Sequence, residues 1–287
     1  MTFPDRLVAV QAAVRARLDA GLAEMGDEPV VQAMRHAVAG GKRIRAFLVI
    51  EGAAMLGVPA AQSLAAAAAI EAMHAYSLVH DDLPCMDDDD LRRGLPTVHV
   101  RWDQATAVLA GDALQTLAFD LLCDPMLGPS EVRLALVQGM AQAAGAAGMV
   151  LGQALDIAAE TAAVPLTLTQ IERLQAGKTG ALIGWSATAG AVIAGADPAP
   201  LRRYATALGL AFQIADDILD ATGTQAATGK RVGKDAGAGK ATFVSLLGLD
   251  GARARAAALV AEAALAPFGA RAGALTQAAR FVIARNN

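Results

Sequence analysis

Helical spacing of apolar residues recurs along almost the whole chain of 287 residues and restricts its fold more than any other feature. Near the N-terminus, apolar residues stand three and four positions apart, as on one face of an α-helix. That series is Leu7, Val10, Val14 and Leu18. The alternation typical of strands is nearly absent, and glycines and prolines divide the sequence into about ten helical segments. Hydrophobic residues make up 55% but aromatic ones only 4%, so small side chains would allow close helix packing. These patterns predict an all-α fold and a single domain over residues 1–287.

Composition excludes several classes of protein. The net charge is -4, without the basic surplus of a nucleic-acid-binding protein. Cys85 and Cys123 are too few for a disulfide scaffold and indicate a reducing, cytoplasmic location. The first twenty residues carry charges where a signal peptide needs an unbroken apolar stretch. Uncharged runs at 134–155 and 179–196 raise a membrane-spanning alternative, but glutamines and small residues favour buried helices, so no membrane is predicted.

An acidic run, HDDLPCMDDDDLRRG, occupies residues 80–94 and holds six aspartates within ten positions. A solvated loop is the ordinary interpretation of such a run. Here, however, it follows the apolar segment 65–79, which places Asp81 and Asp82 at the end of a buried helix. Arg92 and Arg93 follow at once. Carboxylates suit magnesium together with phosphate oxygens, and arginine suits the same phosphates.

A second acidic motif, FQIADDILD, covers residues 212–220. Asp216 and Asp220 stand four positions apart and share one face of an otherwise apolar helix, with Gln213 one turn earlier. An exposed helix edge is the alternative interpretation. Two acidic clusters after apolar helices can hold one diphosphate from opposite sides, which one cluster alone would not indicate.

Three further patterns are basic or polar. GGKRIR, residues 40–45, is a turn with cations at the start of a helix, which favours anions, although alone it could be surface charge. His74, on the helix leading to Asp81, is by itself more typical of a structural residue. AGKTG, residues 176–180, resembles the end of a P-loop, but Glu172 stands where that motif needs glycine. The glycine-rich loop 223–243 is unusually long for a compact domain, which favours a functional lid or a disordered stretch, and a lid is the interpretation adopted here.

The motifs DDLPCMD, DDILD, GGKRIR, the KT pair and GKRVGKDAGAGKATF together resemble the trans-prenyltransferases, the polyprenyl synthetase family. The resemblance spans essentially the whole chain and is greatest to the bacterial farnesyl diphosphate synthases, because four residues separate the first aspartate pair from the next aspartate. It implies helices around a deep central cavity, with the aspartate motifs facing each other across its mouth, and a homodimer. It also implies magnesium-dependent condensation of isopentenyl diphosphate with dimethylallyl or geranyl diphosphate to farnesyl diphosphate.

The resemblance also implies roles for matching positions. Three Mg²⁺ ions would be held by Asp81, Asp82, Asp87, Asp216, Asp217 and Asp220. The allylic diphosphate would be bound by Arg92, Lys178, Thr179, Gln213, Lys230 and Lys240. Isopentenyl diphosphate would be bound by Gly41, Lys42, Arg45, His74 and Arg93. Apart from the resemblance, we hypothesise that Arg285 near the C-terminus helps to close that site. The residues expected to be catalytic are Asp81, Asp82, Lys178 and Asp216.

Two residues that precede Asp81 on its helix are predicted to set the product length. Ser77 and Tyr76 lie four and five positions earlier, about 6–7.5 Å deeper along the helix. A bulky Tyr76 would form a floor that halts the growing chain, while Ser77 leaves some room. The resemblance to the family, with an aromatic residue at this place and the longer first motif, implies a stop at fifteen carbons. Ordinary core packing of Tyr76 is the alternative, and ten- or twenty-carbon products stay open.

Two other functions compete with this interpretation. A terpene cyclase would use the first aspartate motif, but it needs no second diphosphate site, and its second metal motif normally carries Asn, Ser and Glu. A regulatory subunit without activity would typically show a damaged aspartate motif, whereas both motifs here are intact. An unrelated helical binding protein would have no reason to contain both motifs in this order.

Overall fold

A computed structural model of the chain describes residues 2–162, 164–222, 242–262 and 265–284. Helices fill most of these ranges, which confirms the predicted all-α class. The α-helices are α1 (Phe3–Ala23), α2 (Pro29–Ala37), α3 (Ile44–Met55), α4 (Ala60–Asp81), α5 (Val98–Arg101), α6 (Gln104–Leu122), α7 (Ser130–Ala144), α8 (Met149–Glu160), α9 (Leu168–Gln175), α10 (Ala181–Ala194), α11 (Ala199–Thr222), α12 (Phe243–Glu262) and α13 (Gly273–Ala284). Short 3₁₀-helices cover Pro125–Leu127 and Ala266–Ala272, and a π-helical turn covers Ala176–Gly180.

The chain divides into two compact units. Unit 1 comprises residues 1–138 and 189–196, and unit 2 comprises residues 139–188 and 197–287. The prediction of a single domain stays a prediction.

Unit 1 is built around α4, which packs against α1, α3 and α6. The alanines of residues 65–69 are all buried, and their small side chains let the neighbouring helices approach closely. Deeper volume is filled by Ile70 and Met73, both without solvent exposure. The helical series predicted near the N-terminus is buried on one face of α1, which confirms that spacing. Packing therefore fixes α4 along its length, and with it the position of the C-terminal end from which the acidic run begins.

Unit 2 is built around α11, which packs against α9, α12, α13 and the π-helical turn. Tyr204 on α11 is fully buried, and its hydroxyl donates to the Leu275 carbonyl oxygen on α13 at 2.8 Å. Burial raises the pKa of Tyr204, so the phenol stays neutral and keeps this hydrogen bond. The bond fixes α11, which carries the second acidic motif, against α13.

Two segments of the described residues are long and apolar enough to cross a membrane by length and composition alone: Gln104–Leu122 and Ser130–Ala159. The core helix of a soluble protein passes the same test, and α6 buries Leu114 and Leu122 in unit 1. The second segment is divided, because α7 ends at Ala144 and α8 begins at Met149. The prediction of no membrane stays a prediction.

Candidate active site

The acidic run begins where α4 ends. Asp81 is the last residue of α4 and Asp82 is its C-cap, as the sequence predicts. The chain then folds back on the helix end, because the Asp87 N–H donates to the Asp81 carbonyl oxygen at 2.9 Å. The Asp89 N–H donates to the Asp82 carbonyl oxygen at 3.3 Å. The turn therefore returns Asp87 to the end of α4, where the negative end of the helix dipole adds to the carboxylate charge and favours a cation.

A short β-hairpin follows the acidic run and was not predicted from the sequence. Strand β1 (Leu91–Arg92) pairs antiparallel with β2 (Leu95–Pro96). The two residues that connect them, Arg93 and Gly94, have φ angles of 55° and 76°. Positive φ at both central positions is the geometry of a type I′ hairpin turn, for which glycine at the second position is favourable. The hairpin directs its two adjacent arginines to different partners.

Arg92 binds the turn of residues 81–89, which we call the acidic turn. Its Nε donates to Asp82 Oδ1 at 2.9 Å, and its Nη2 makes further contacts with Asp82 and Asp89. The Asp82 side chain is almost fully buried, and burial raises the pKa of its carboxyl group even though Arg92 opposes this. Arg92 thus holds positive charge against the predicted metal-binding carboxylates.

Arg93 lies against the basic turn that precedes α3. Gly41 has φ 110°, and a Cβ built on it would lie 2.8 Å from Nη2 of Arg93. Only glycine fits here, because a side chain would be strained by the backbone angle and would also displace the guanidinium. The structure therefore brings Gly41 and Arg93, two residues predicted to bind isopentenyl diphosphate, into one place.

His74 on α4 lies near Arg45 and Arg93. Burial, and then the charges of Arg45 and Arg93, lower the pKa of His74 well below its usual range. The imidazole is therefore neutral at pH 7 and can donate one N–H without adding charge. Lys42 is exposed in the turn between Gly41 and α3. All five residues predicted for this substrate thus lie within unit 1, and we call them the basic cluster.

A buried ion pair supports the basic cluster. Arg43, the N-cap of α3, has φ 55°, and its Nη1 contacts Glu71 Oε2 on α4 at 3.1 Å. The other carboxylate oxygen of Glu71 accepts the Ala46 N–H at 3.0 Å, in the first turn of α3. Both charged side chains are at most 5% exposed. Glu71 therefore fixes the start of α3 on α4, and the turn that displays Lys42 is fixed with it.

The residues predicted to set product length lie one turn before the end of α4. The Tyr76 ring packs edge-on against the His80 ring with centroids 5.2 Å apart. His80 lies over Gly111 of α6, where a Cβ would come 2.1 Å from its Nε2. Burial, followed by the charge of Asp112, raises the pKa of Tyr76. The Ser77 hydroxyl donates to the His74 carbonyl oxygen of its own helix.

In unit 2, the KT pair lies in the π-helical turn between α9 and α10. π-Helical turns inside helices often mark functional sites, because they change the direction of the side chains that follow. Lys178 Nζ contacts Asp156 Oδ2 of α8 at 2.6 Å, and Thr179 is buried. Asp156 is not among the residues predicted from the sequence motifs.

The second acidic motif lies on α11, as predicted, and Asp216 and Asp220 share one of its faces. Gln213, one turn earlier, donates to Gln175 Oε1 at 2.6 Å. Asp217 accepts the N–H of Phe243, the first residue of α12, at 2.7 Å. This carboxylate therefore caps α12, in addition to the metal-binding role predicted for it.

Three predicted functional residues, Lys230, Lys240 and Arg285, lie outside the described residues. So does most of the predicted lid. Sequence reasoning also missed two carboxylates, Glu71 and Asp156. A signal existed for Glu71, because a single charge inside the apolar segment 65–79 must find a partner when that helix is buried.

Carboxylates alone do not form a complete metal cage in the parts of the chain that the structure describes: no three His, Cys, Asp or Glu side chains are arranged there so that they could hold a metal ion together. Magnesium commonly takes only one or two carboxylates and completes its shell with water and substrate phosphates. The acidic turn places Asp81 and Asp87 at the end of α4 and offers oxygen ligands only. This set of donors suits the coordination that magnesium prefers.

An all-α architecture with an acidic turn at one helix end and a cluster of cations beside it agrees with the isoprenoid synthase class of helical proteins, and structural comparison assigns the chain to that class. A crystal structure of an FPP/GFPP synthase from Zymomonas mobilis aligns with a TM-score of 0.88 and 45% identity, covering 98% of each chain. A geranyltransferase structure from Legionella pneumophila aligns with a TM-score of 0.88 and 32% identity over 99% of this chain and 97% of that one.

Sequence comparison identifies the family. The polyprenyl synthetase family matches residues 27–270, and the chain belongs to this family. The farnesyl diphosphate synthase of Escherichia coli is 46% identical over the full length of both chains. That of Haemophilus influenzae is 44% identical over 99% of each chain. The resemblance stated from the sequence motifs is thereby confirmed.

Proposed function

We propose that this chain is a magnesium-dependent prenyltransferase that condenses isopentenyl diphosphate with dimethylallyl or geranyl diphosphate to give (2E,6E)-farnesyl diphosphate. One observation carries the proposal most strongly. The acidic turn at Asp82 and the basic cluster at Gly41 lie side by side in unit 1, joined by the adjacent Arg92 and Arg93. Such a pair of sites suits two diphosphates, one held through a metal and one held directly by cations. The high identity to farnesyl diphosphate synthases along the whole chain supports the same reaction.

The residue roles follow from charge. Three Mg²⁺ ions would be held by Asp81, Asp82, Asp87, Asp216, Asp217 and Asp220, and when bound they would act as Lewis acids on the departing diphosphate. Fixed cations add to this stabilisation as the allylic carbon–oxygen bond breaks. They are Arg92, Lys178, Lys230 and Lys240. The oxygens of Thr179 and Gln213 lie beside the allylic cation in this proposal and stabilise it by their dipoles.

The second substrate is positioned by the basic cluster. Lys42, Arg45 and Arg93 bind the diphosphate of isopentenyl diphosphate, and neutral His74 donates one N–H. Holding the double bond within reach of the allylic cation makes the attack effectively unimolecular. The departed diphosphate accepts the proton that leaves, because no histidine or glutamate of the sequence stands out as its base. Exclusion of water protects the cation from hydrolysis.

The basic cluster also weighs against the competing functions. A terpene cyclase ionises one prenyl diphosphate and needs no second anion site. In this chain Arg93 lies close against Gly41 in the basic cluster, which is proposed as such a second site. A regulatory subunit would typically show a damaged aspartate motif, whereas both motifs are intact here. Geranyl or geranylgeranyl diphosphate synthase remains the alternative within the same chemistry, since it differs only in the depth of the floor.

We further propose a cytoplasmic homodimer that binds neither nucleic acid nor membrane, with one catalytic domain. Support for the homodimer comes from exposed apolar side chains on α6. Val108 and Leu109 are 41% and 57% exposed, and neighbouring large apolar side chains on a soluble surface commonly mark a protein interface.

The reaction is tested by incubating the purified chain with isopentenyl diphosphate, Mg²⁺ and either dimethylallyl or geranyl diphosphate. The dephosphorylated products are then separated by mass. Farnesol is the expected product from both starters. Geraniol alone or geranylgeraniol would retain the enzyme class and overturn the product assignment, and the absence of any condensation product would overturn the proposed function.

Replacing Tyr76 with alanine is expected to shift the product towards twenty carbons or more. The ring fills the space against His80, and its removal lowers the floor of the proposed chain-length site. Product chain length measured by mass with geranyl diphosphate as starter tests this expectation. Tyr76→Phe keeps the ring and serves as the control, for which farnesol is expected. Unchanged products from Tyr76→Ala would show that Tyr76 is ordinary core packing.

A further inference from the structure

The predicted catalytic Lys178 is held by a carboxylate that the motifs do not include. Its Nζ donates to Asp156 Oδ2 of α8 at 2.6 Å. The two side chains are 25% and 15% exposed, so the contact is sheltered from solvent and stronger than a surface ion pair. Charge-assisted hydrogen bonds of this length are among the strongest in proteins.

The backbone of unit 2 is shaped to make this contact. Gly152 lies one turn before Asp156 on α8, and a Cβ built on Gly152 would come 1.9 Å from the backbone nitrogen of Lys178. Gly177 likewise approaches α8, with the Gly148 carbonyl oxygen 3.0 Å from its own virtual Cβ. Only glycines permit this approach of the π-helical turn to α8. The approach sets the Lys178 backbone directly over the helix face that carries Asp156.

We propose that Asp156 is a positioning residue that holds the Lys178 ammonium in the orientation required to bind the allylic diphosphate. This inference rests on the proposed prenyltransferase function. A lysine side chain loses considerable rotamer freedom when it is ordered, and a fixed carboxylate removes that loss from the binding step. An ammonium has three N–H donors, so contact with one carboxylate is compatible with further contacts to phosphate oxygens.

The proposal is tested by calorimetric titration of geranyl diphosphate, in the presence of Mg²⁺ and without isopentenyl diphosphate. Asp156→Ala is expected to weaken binding about tenfold, equivalent to about 1.4 kcal/mol. Asp156→Asn retains a hydrogen-bond acceptor without charge. Its affinity for geranyl diphosphate is expected to lie between those of Asp156→Ala and the unchanged protein. Asp250→Ala removes a fully exposed carboxylate of unit 2 and is the matched control, with unchanged affinity. Circular dichroism verifies that each variant is folded.

A second background separates positioning from a general structural role. In Lys178→Met, the Asp156→Ala change is expected to have no further effect on geranyl diphosphate affinity, because Asp156 acts through the ammonium. An equal loss in both backgrounds, unchanged affinity of Asp156→Ala, or tighter binding would each overturn the inference. Failure of the unchanged protein to bind geranyl diphosphate would overturn the proposed function and this inference with it. The titration of the unchanged protein alone distinguishes this outcome from the others.

Discussion

Asp81→Ala and Asp216→Ala are each expected to lower kcat for condensation of geranyl and isopentenyl diphosphates by at least about 100-fold. In the proposed mechanism these carboxylates do not attack carbon; they hold the Mg²⁺ ions that stabilise charge on the departing diphosphate. Removing either side chain withdraws that stabilisation in the transition state, when the leaving group gains its charge. Steady-state kinetics at saturating substrates and several Mg²⁺ concentrations measure the effect.

A control is available inside the same acidic run. Asp90 is exposed and was not predicted to bind metal, although it follows directly after the acidic turn. Asp90→Ala is expected to keep the kcat of the unchanged protein, which separates metal binding from the general negative charge of the run. A loss of less than about tenfold in Asp81→Ala would contradict the assigned role, since it corresponds to only about 1.4 kcal/mol of activation free energy.

The ends of the helices that carry the site were predictable because their signals are local. An apolar series that stops at an acidic run predicts the end of α4 at Asp81, and a glycine pair followed by cations predicts the start of α3. The face shared by Asp216 and Asp220 follows from helical spacing alone. None of these inferences requires knowledge of which helices meet.

The supporting carboxylates were not predictable in the same way. Glu71 meets Arg43 across 28 positions of sequence, and Asp156 meets Lys178 across 22 positions. Such pairs depend on the packing of α3 on α4 and of α8 on the π-helical turn, which the apolar pattern does not specify. The sequence can indicate that a carboxylate inside an apolar helix, such as Glu71, needs a partner, but it does not say which cation the packing brings to it.

The hairpin after the acidic run was missed for a different reason. Its strands contain two residues each, which is too short for an alternating pattern to be detected. The distinctive feature of the hairpin is instead its turn, in which Arg93 and Gly94 both adopt positive φ in the structure. An arginine in this conformation is uncommon, and it is stabilised here by the hairpin pairing on either side. The same turn directs Arg93 to Gly41.

Glu71→Ala is expected to lower the free energy of unfolding by about 3–5 kcal/mol. The change leaves the guanidinium of Arg43 buried at 5% exposure without the carboxylate that compensates its charge. It also removes the acceptor of the Ala46 N–H in the first turn of α3. Urea denaturation followed by circular dichroism measures the loss. Glu71→Gln is expected to cost less, because an amide oxygen can still accept the Ala46 N–H.

The matched control removes a carboxylate from an exposed ion pair in the same unit. Asp19 pairs with Arg15 at 2.6 Å on the surface of α1, with both side chains 47% exposed. Asp19→Ala is expected to change stability by no more than about 0.5 kcal/mol. If Glu71→Ala lowers the free energy of unfolding by as little, the buried ion pair contributes no more to stability than a surface ion pair does. A large loss together with weaker isopentenyl diphosphate binding by the folded fraction would instead indicate that one carboxylate both stabilises unit 1 and fixes the turn that displays Lys42.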